Sequence, residues 1–334
     1  MKLGLTIGYW MLGPEDPIER VLLAEEAGYD SVWTAEAYGS DAVSTLCWIG
    51  ARTTRIKLGT AVMQLSARTP AMAAMTAMTI DHLSGGRFIL GIGASGPQVV
   101  EGWYGQPFPR PLERTREFVA LVREILRREG PVEFEGRHYQ LPLQGGSGLG
   151  KPLKLINRPL RADIPIYIGA EGPKNVKQTT EIADGWLPLF YSPYRPEVYA
   201  ESLGALRPGF EIACTVTVVV NDDLEAARLP VKWMLAFYMS GMGARNQNFH
   251  ANLIDRMGFG DAIAEVNRLF WENRRDEAAA AVPDALVDEI ALVGPAARIK
   301  ERAQAWADSP VTTLLVAPAG DPKEAIETLA DVFL

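Results

Sequence analysis

The residues best suited to chemistry in this chain stand where short apolar runs give way to loops. Glu36 is an isolated acid just beyond the run Ser31–Thr34. Burial there would raise its pKa toward acid catalysis. Capping the next helix, or pairing with an arginine, is an equal alternative. Tyr9 and Trp10 follow the run Leu3–Gly8 and bring rings with polar handles, suited to stacking on a ring system or bonding to it. Tyr38 adds a second phenol. Small residues recur in Gly59, Thr60 and Ala61, followed by Val62, Met63 and Gln64, and they permit close backbone approach by a flat ligand. Gly91, Ile92, Gly93, Ala94, Ser95 and Gly96 partly resemble a dinucleotide loop but lack the full glycine fingerprint and its ribose-binding acid. The clearest physical signal is Gly169, Ala170, Glu171, Gly172 and Pro173, which run straight into a helix with proline at its start. Such a junction points free N–H groups and a positive helix end at solvent, the arrangement that binds phosphate. Lys174 and Lys177 lie close in sequence.

Other chemistries find little support. Of three histidines, none stands at metal-ligand spacing from another ligand type, so no metal is expected. His82 reads as the end of a helix, His138 as a surface residue of an inserted hairpin, and His250 as structural. No serine or cysteine sits in a nucleophile elbow.

The elements that must position these residues form a string of strand–helix units. Strand-like runs at Leu3–Gly8, Ser31–Thr34, Ile56–Val62, Phe88–Ile92, Ile164–Ile168, Trp186–Phe190, Ile212–Val220 and Thr312–Val316 alternate with helical patterns. Eight such units favour a (β/α)8 TIM barrel over an open sheet, with catalytic groups at the C-terminal strand ends. The 334 residues read as one domain, 1–334, with an inserted hairpin and loop at about 130–164 and a helical insertion at about 224–290. In the second insertion Trp233, Phe237, Tyr238, Met239 and Met242 either line a pocket or pack the helices.

Composition narrows the partners. Net charge is −8, from 33 basic and 41 acidic residues with no basic block, which argues against nucleic acid and membrane surfaces. The apolar runs are too short to span a bilayer. No signal-peptide pattern opens the chain, and Cys47 and Cys214 read as core thiols, so a cytoplasmic location is expected.

Asp81-His82-Leu83-Ser84-Gly85-Gly86-Arg87 with Leu90-Gly91-Ile92-Gly93, and Ile164–Pro173 leading to Ala183-Asp184-Gly185-Trp186, resemble the luciferase-like flavin and deazaflavin oxidoreductases of the bacterial luciferase superfamily. The segment Gly96–Gly105 is similar to the actinobacterial branch that uses coenzyme F420. The resemblance implies a TIM barrel that usually dimerises. It implies F420 with its ring in the barrel mouth, backed by a non-prolyl cis peptide at Ala61–Val62, next to Met63. It places the cofactor phosphate against the loops after strands four and five, Gly93–Gly96 and Gly169–Pro173. Many relatives carry an Asp-His pair after strand two, and Glu36-Ala37 stands there in this chain, which argues against sugar-phosphate oxidation.

The expected function is an F420-dependent reductase moving hydride to an activated C=C, C=O or C=N bond of a small-molecule or peptide-derived substrate, with Glu36 as acid and Tyr9 or Tyr38 as understudies. An FMN-dependent monooxygenase on the same barrel is the alternative.

Overall fold

The computed structural model describes residues 1–8, 15–243 and 248–334. The barrel begins β1 (Lys2–Gly8), α1 (Ile18–Glu26), β2 (Ser31–Thr34), α2 (Ala42–Gly50), β3 (Lys57–Thr60), β4 (Met63–Gln64), α3 (Pro70–Ser84) and β5 (Phe88–Gly93). Then come α4 (Pro97–Val100), α5 (Pro111–Arg127) and an antiparallel hairpin of β6 (Phe134–Glu135) and β7 (Gln140–Leu141). The parallel pattern resumes with β8 (Ile166–Gly169), α6 (Pro173–Ile182), β9 (Gly185–Leu187), α7 (Glu197–Leu203) and β10 (Glu211–Val220). Among the described residues there follow α8 (Leu224–Ser240), α9 (Phe249–Ile254), α10 (Gly260–Trp271), α11 (Arg275–Ala280) and α12 (Asp284–Ile290). The chain ends with β11 (Ala291–Gly294), α13 (Ala296–Ala307), β12 (Thr313–Pro318) and α14 (Pro322–Phe333).

Parallel pairing runs β1, β2, β3, β5, β8, β9, β10, β12 and back to β1, which closes the barrel. β10 serves three neighbours in turn: its start pairs with β9, its middle with β12 and its end with β11. β11 and α13 are missing from the sequence-based pattern, which passes directly from the helical insertion to the last strand. Four apolar residues next to an amphipathic helix are easily absorbed into it. The third strand, expected as one run to Val62, is cut at Thr60. A cis Ala61–Val62 peptide, expected from the family resemblance, separates β3 from β4.

The barrel is filled by a few large side chains. Trp33, Ile89, Tyr167, Leu187, Ala213 and Leu315 form an interior cluster, with Ala61 and Val62 against it. The Trp33 and Tyr167 rings stack at 5.8 Å. Glycine makes the room: a Cβ on Gly59 would lie 2.3 Å from the Trp33 ring, and one on Gly91 would lie 1.7 Å from the Thr60 carbonyl oxygen. Outward-facing strand residues meet the helices in the main core. Caps fix several helix starts. Asp41 accepts from Ser44 N–H ahead of α2, Thr69 from Met72 N–H ahead of α3, and Asp223 from two N–H groups ahead of α8. Among the described residues no helix is long and apolar enough to cross a membrane. Cys214 is buried as expected. Cys47 is not a core thiol but sits exposed on α2, because its position on that helix falls on the outer face.

Candidate active site

The mouth of the barrel has a floor made by one side chain over two glycines. Beyond the cis peptide, Val62 packs across β5 and β8: a Cβ on Gly93 would come within 2.6 Å of its Cγ2, and one on Gly169 within 3.1 Å of its Cγ1. Thr60 locks this bulge by donating to Gly91 O at 2.7 Å and accepting from Gly91 N at 3.0 Å. Met63 and Gln64 then pair with Ile92 and Gly93. Ser95 takes a left-handed backbone, φ 59°, a conformation that non-glycine residues hold mostly where surrounding structure imposes it.

Glu36 anchors the same bulge from the other side. Its Oε1 accepts from Gln64 N–H at 2.8 Å and its Oε2 from Ala42 N–H, at the start of α2, at 3.1 Å. Arg68 forks onto both oxygens: one Nη donates to Oε1 and the other to Oε2 at 3.1 Å. The carboxylate is buried, and both alternatives weighed from sequence, helix capping and arginine pairing, are realised at once. Tyr104 joins this group, its hydroxyl donating to Ala37 O at 3.1 Å. Burial first, and the charge of Glu36 second, push its phenol up.

The junction after β8 has the expected form. Gly172 caps α6 and Pro173 occupies its first turn, and a Cβ on Gly172 would meet nothing within 4 Å. The Glu171 side chain turns away from this opening. Its Oε1 accepts from Leu189 N–H at 3.0 Å, while its buried Oε2 has no hydrogen-bond partner. Burial pushes this carboxyl up to about 8, opposed by the Leu189 and Phe190 N–H groups and by Arg256. The helical insertion roofs this side of the mouth. Arg256 donates to Glu171 O at 2.9 Å, Gln98 donates to Met242 O, and Arg195 lies 5.1 Å over the Phe259 ring. On the roof, His250 packs edge-on to Phe190 at 5.7 Å and Tyr238 at 4.9 Å. Burial lowers its pKa to about 4, so the ring is neutral.

The structure thus gathers Ala61, Val62, Gly93, Ala94, Ser95, Gly96, Gly169, Gly172 and Pro173 at the strand ends. Met63 and Ala170 turn their side chains into the core, so there only the main chain is available. Tyr9 and Trp10 lie outside the described residues, as do Asn246 and Gln247. Tyr38 is exposed beside Trp103, ring centroids 6.5 Å apart. His82 Nε2 donates to Arg158 O, 2.8 Å away, a structural tie at the end of α3. His138 corrects the surface reading. Its ring is largely buried 3.8 Å from Glu113, and Glu113, Glu117 and His138 form a group of ligand-type atoms within 4.8 Å of one another. Linear spacing hides the group because helix and hairpin bring it together. Glu117 already accepts from the N–H groups of Arg137, His138 and Tyr139, so it clips the hairpin to α5. Sequence reasoning also missed Arg68, Tyr104 and Arg114, whose roles depend on contacts made across the fold.

A family model described as luciferase-like monooxygenase matches residues 11–313. A Mycobacterium tuberculosis protein, whose assigned name is coenzyme F420-dependent oxidoreductase, is 52% identical over 99% of this chain and 98% of its own length. The 5,10-methylenetetrahydromethanopterin reductase of Archaeoglobus fulgidus is 30% identical over 92% of each chain. Among solved structures, the coenzyme F420-dependent tetrahydromethanopterin reductase of Methanopyrus kandleri superposes with a TM-score of 0.80, covering 98% of this chain and 97% of that one at 22% identity.

Proposed function

The chain belongs to the luciferase-like monooxygenase family, and from that premise we propose that it is a coenzyme F420-dependent oxidoreductase that transfers hydride to an electron-poor C=C, C=O or C=N bond of a small molecule. The observation that carries the reading is the floor of the mouth. Val62 is laid over Gly93 and Gly169, with open space at Gly172 beside it. A Cβ at Gly93 would collide with the Val62 side chain and one at Gly169 would crowd it, so the surface offered to a flat ring depends on these glycines. The name of the 52% identical relative supports the choice of F420.

When bound, the deazaflavin supplies the hydride chemistry, and the protein supplies position and a dry site. Val62 backs the ring. The Lys174 N–H, the first that α6 offers because Pro173 has none, holds phosphate at the positive helix end. Glu36 and Arg68 act as positioning residues, because they fix the bulge that carries Val62. The insertion over the loops after β5, β8 and β9 excludes water. Titration of the purified protein with F420 and with FMN tests the reading, followed by turnover of reduced F420 with a panel of activated alkenes, ketones and imines. Tight FMN binding with oxygen-dependent turnover would overturn it.

Gly172→Val is expected to weaken F420 affinity about tenfold with no change in thermal midpoint, since the side chain enters open space in an extended backbone conformation (φ −77°). Fluorescence titration and a melting curve check this. A homodimer is part of the same proposal. Met72, Met75 and Leu83 are exposed along α3, and Trp48 on neighbouring α2, an apolar face of the kind that oligomers cover. Light scattering is expected to give twice the chain mass, and Met75→Glu to give the monomer.

A further inference from the structure

A polar cleft of about 410 Å³ opens beside the mouth, between the start of α3, the loop before α5 and the β6–β7 hairpin; Arg68, Thr69, Arg114, His138 and Tyr139 are among its walls. A small notch lined by Leu65, Ala94 and Phe108 lies beside it and shares Ser66, Pro109 and Arg114 with it. The two cavities adjoin, and the notch reaches Ala94 in the loop after β5.

Its charge is uneven. Arg114 is held in place by Tyr139 Oη at 3.0 Å, Pro107 O at 3.1 Å and Ser66 Oγ at 3.4 Å. Among the described residues it makes no ion pair. The flanking carboxylates are committed elsewhere. Glu36 is bound by Arg68, Glu113 faces Arg110, Arg137 and His138, and Glu117 accepts three backbone N–H groups. The N-terminus of the 15-residue α3, capped by Thr69, adds its positive end to the same wall. His138 Nε2 is buried there with no hydrogen-bond partner. A guanidinium fixed by three neutral acceptors and facing open space is preorganised for phosphate or carboxylate.

We propose that this cleft seats the anionic chain of the bound coenzyme, the phosphate-linked and carboxylate-bearing extension that leaves the mouth past Ala94, with Arg114 as its charge partner. The proposal rests on the F420 reading above. An acidic substrate would present the same chemistry, so the test separates the two sources.

Wild type, Arg114→Gln and Arg114→Lys are titrated calorimetrically with F420, with its ring-and-ribityl fragment lacking the phosphate chain, and with inorganic pyrophosphate. Arg114→Gln is expected to bind F420 about 10- to 100-fold more weakly and to bind the fragment unchanged, with Arg114→Lys recovering most of the loss. Equal weakening for F420 and the fragment, or no weakening of either, would overturn the proposal; the first marks a structural role for Arg114, and the second leaves the cleft to an acidic substrate. If wild type binds neither F420 nor the fragment, the functional reading fails on its own. Pyrophosphate then decides: binding to wild type that Arg114→Gln abolishes retains an anion site, and no binding removes it.

Discussion

Glu36→Ala is expected to lower the unfolding free energy by about 3 kcal/mol, because it leaves the part-buried Arg68 guanidinium without its partner. It also frees two backbone donors, Ala42 N–H and Gln64 N–H, that sit on different elements. The bulge carrying Val62 then loses its tie to β2, so F420 affinity falls with stability. Glu36→Gln separates this role from acid catalysis. An anchor has four donors facing its two oxygens, and an amide replaces one acceptor with a donor pointed at other donors. The expected loss is roughly 1–3 kcal/mol, accompanied by weaker coenzyme binding. A proton donor behaves differently: turnover would drop by about a hundredfold or more while the urea midpoint and F420 dissociation constant stayed put. Urea titration and fluorescence binding on the same preparations distinguish the two. A double variant Glu36→Ala/Arg68→Ala is expected to be less destabilised than the two single losses added together, since the stranded charge is gone.

That prediction also shows where the sequence is legible and where it is not. The barrel can be read because its signal is local: apolar runs of four to nine residues alternate with amphipathic helices, and each unit can be recognised alone. The start of α6 can be read for the same reason, since Gly172 and Pro173 act through their own backbone. Glu36 is visible as an isolated acid, but its role is set by Arg68, thirty-two residues on, which nothing in the local pattern couples to it. Gly59 reads in sequence as room for a ligand, until Trp33 is seen to fill the space its side chain would take. Arg114 reads as one more charge on an amphipathic helix, and only the hairpin turns it into a wall of a cleft. Similarly, β11 disappears into the helical insertion because its four residues acquire meaning only beside the end of β10.

Glu171 yields the second large effect, one of pH. Burial pushes its carboxyl to about 8 in the fold, against an ordinary value of 4.5 in the open chain. Between those values the native state holds a proton that the unfolded chain has released. Folding therefore takes up a proton, and stability falls as pH rises from about 4.5 to about 8, levelling off above that. Below about 4.5 both states are protonated and no penalty exists. Each pH unit in the window costs about 1.4 kcal/mol before local relaxation. Glu171→Gln, a neutral isostere, is expected to be more stable than wild type by roughly 2–4 kcal/mol at pH 9 and nearly equal at pH 4. The placement gives the acid a reason to be neutral. It immediately precedes Gly172, the cap of α6, where the proposed phosphate adds negative charge. A protonated Glu171 spares that phosphate a repulsive neighbour, whereas ionisation above pH 8 restores one. F420 affinity is accordingly expected to weaken above pH 8 in wild type and to stay level in Glu171→Gln. Parallel stability and affinity slopes in the two proteins would show that Glu171 does not titrate in this window. A change in stability alone would separate its burial from the phosphate site.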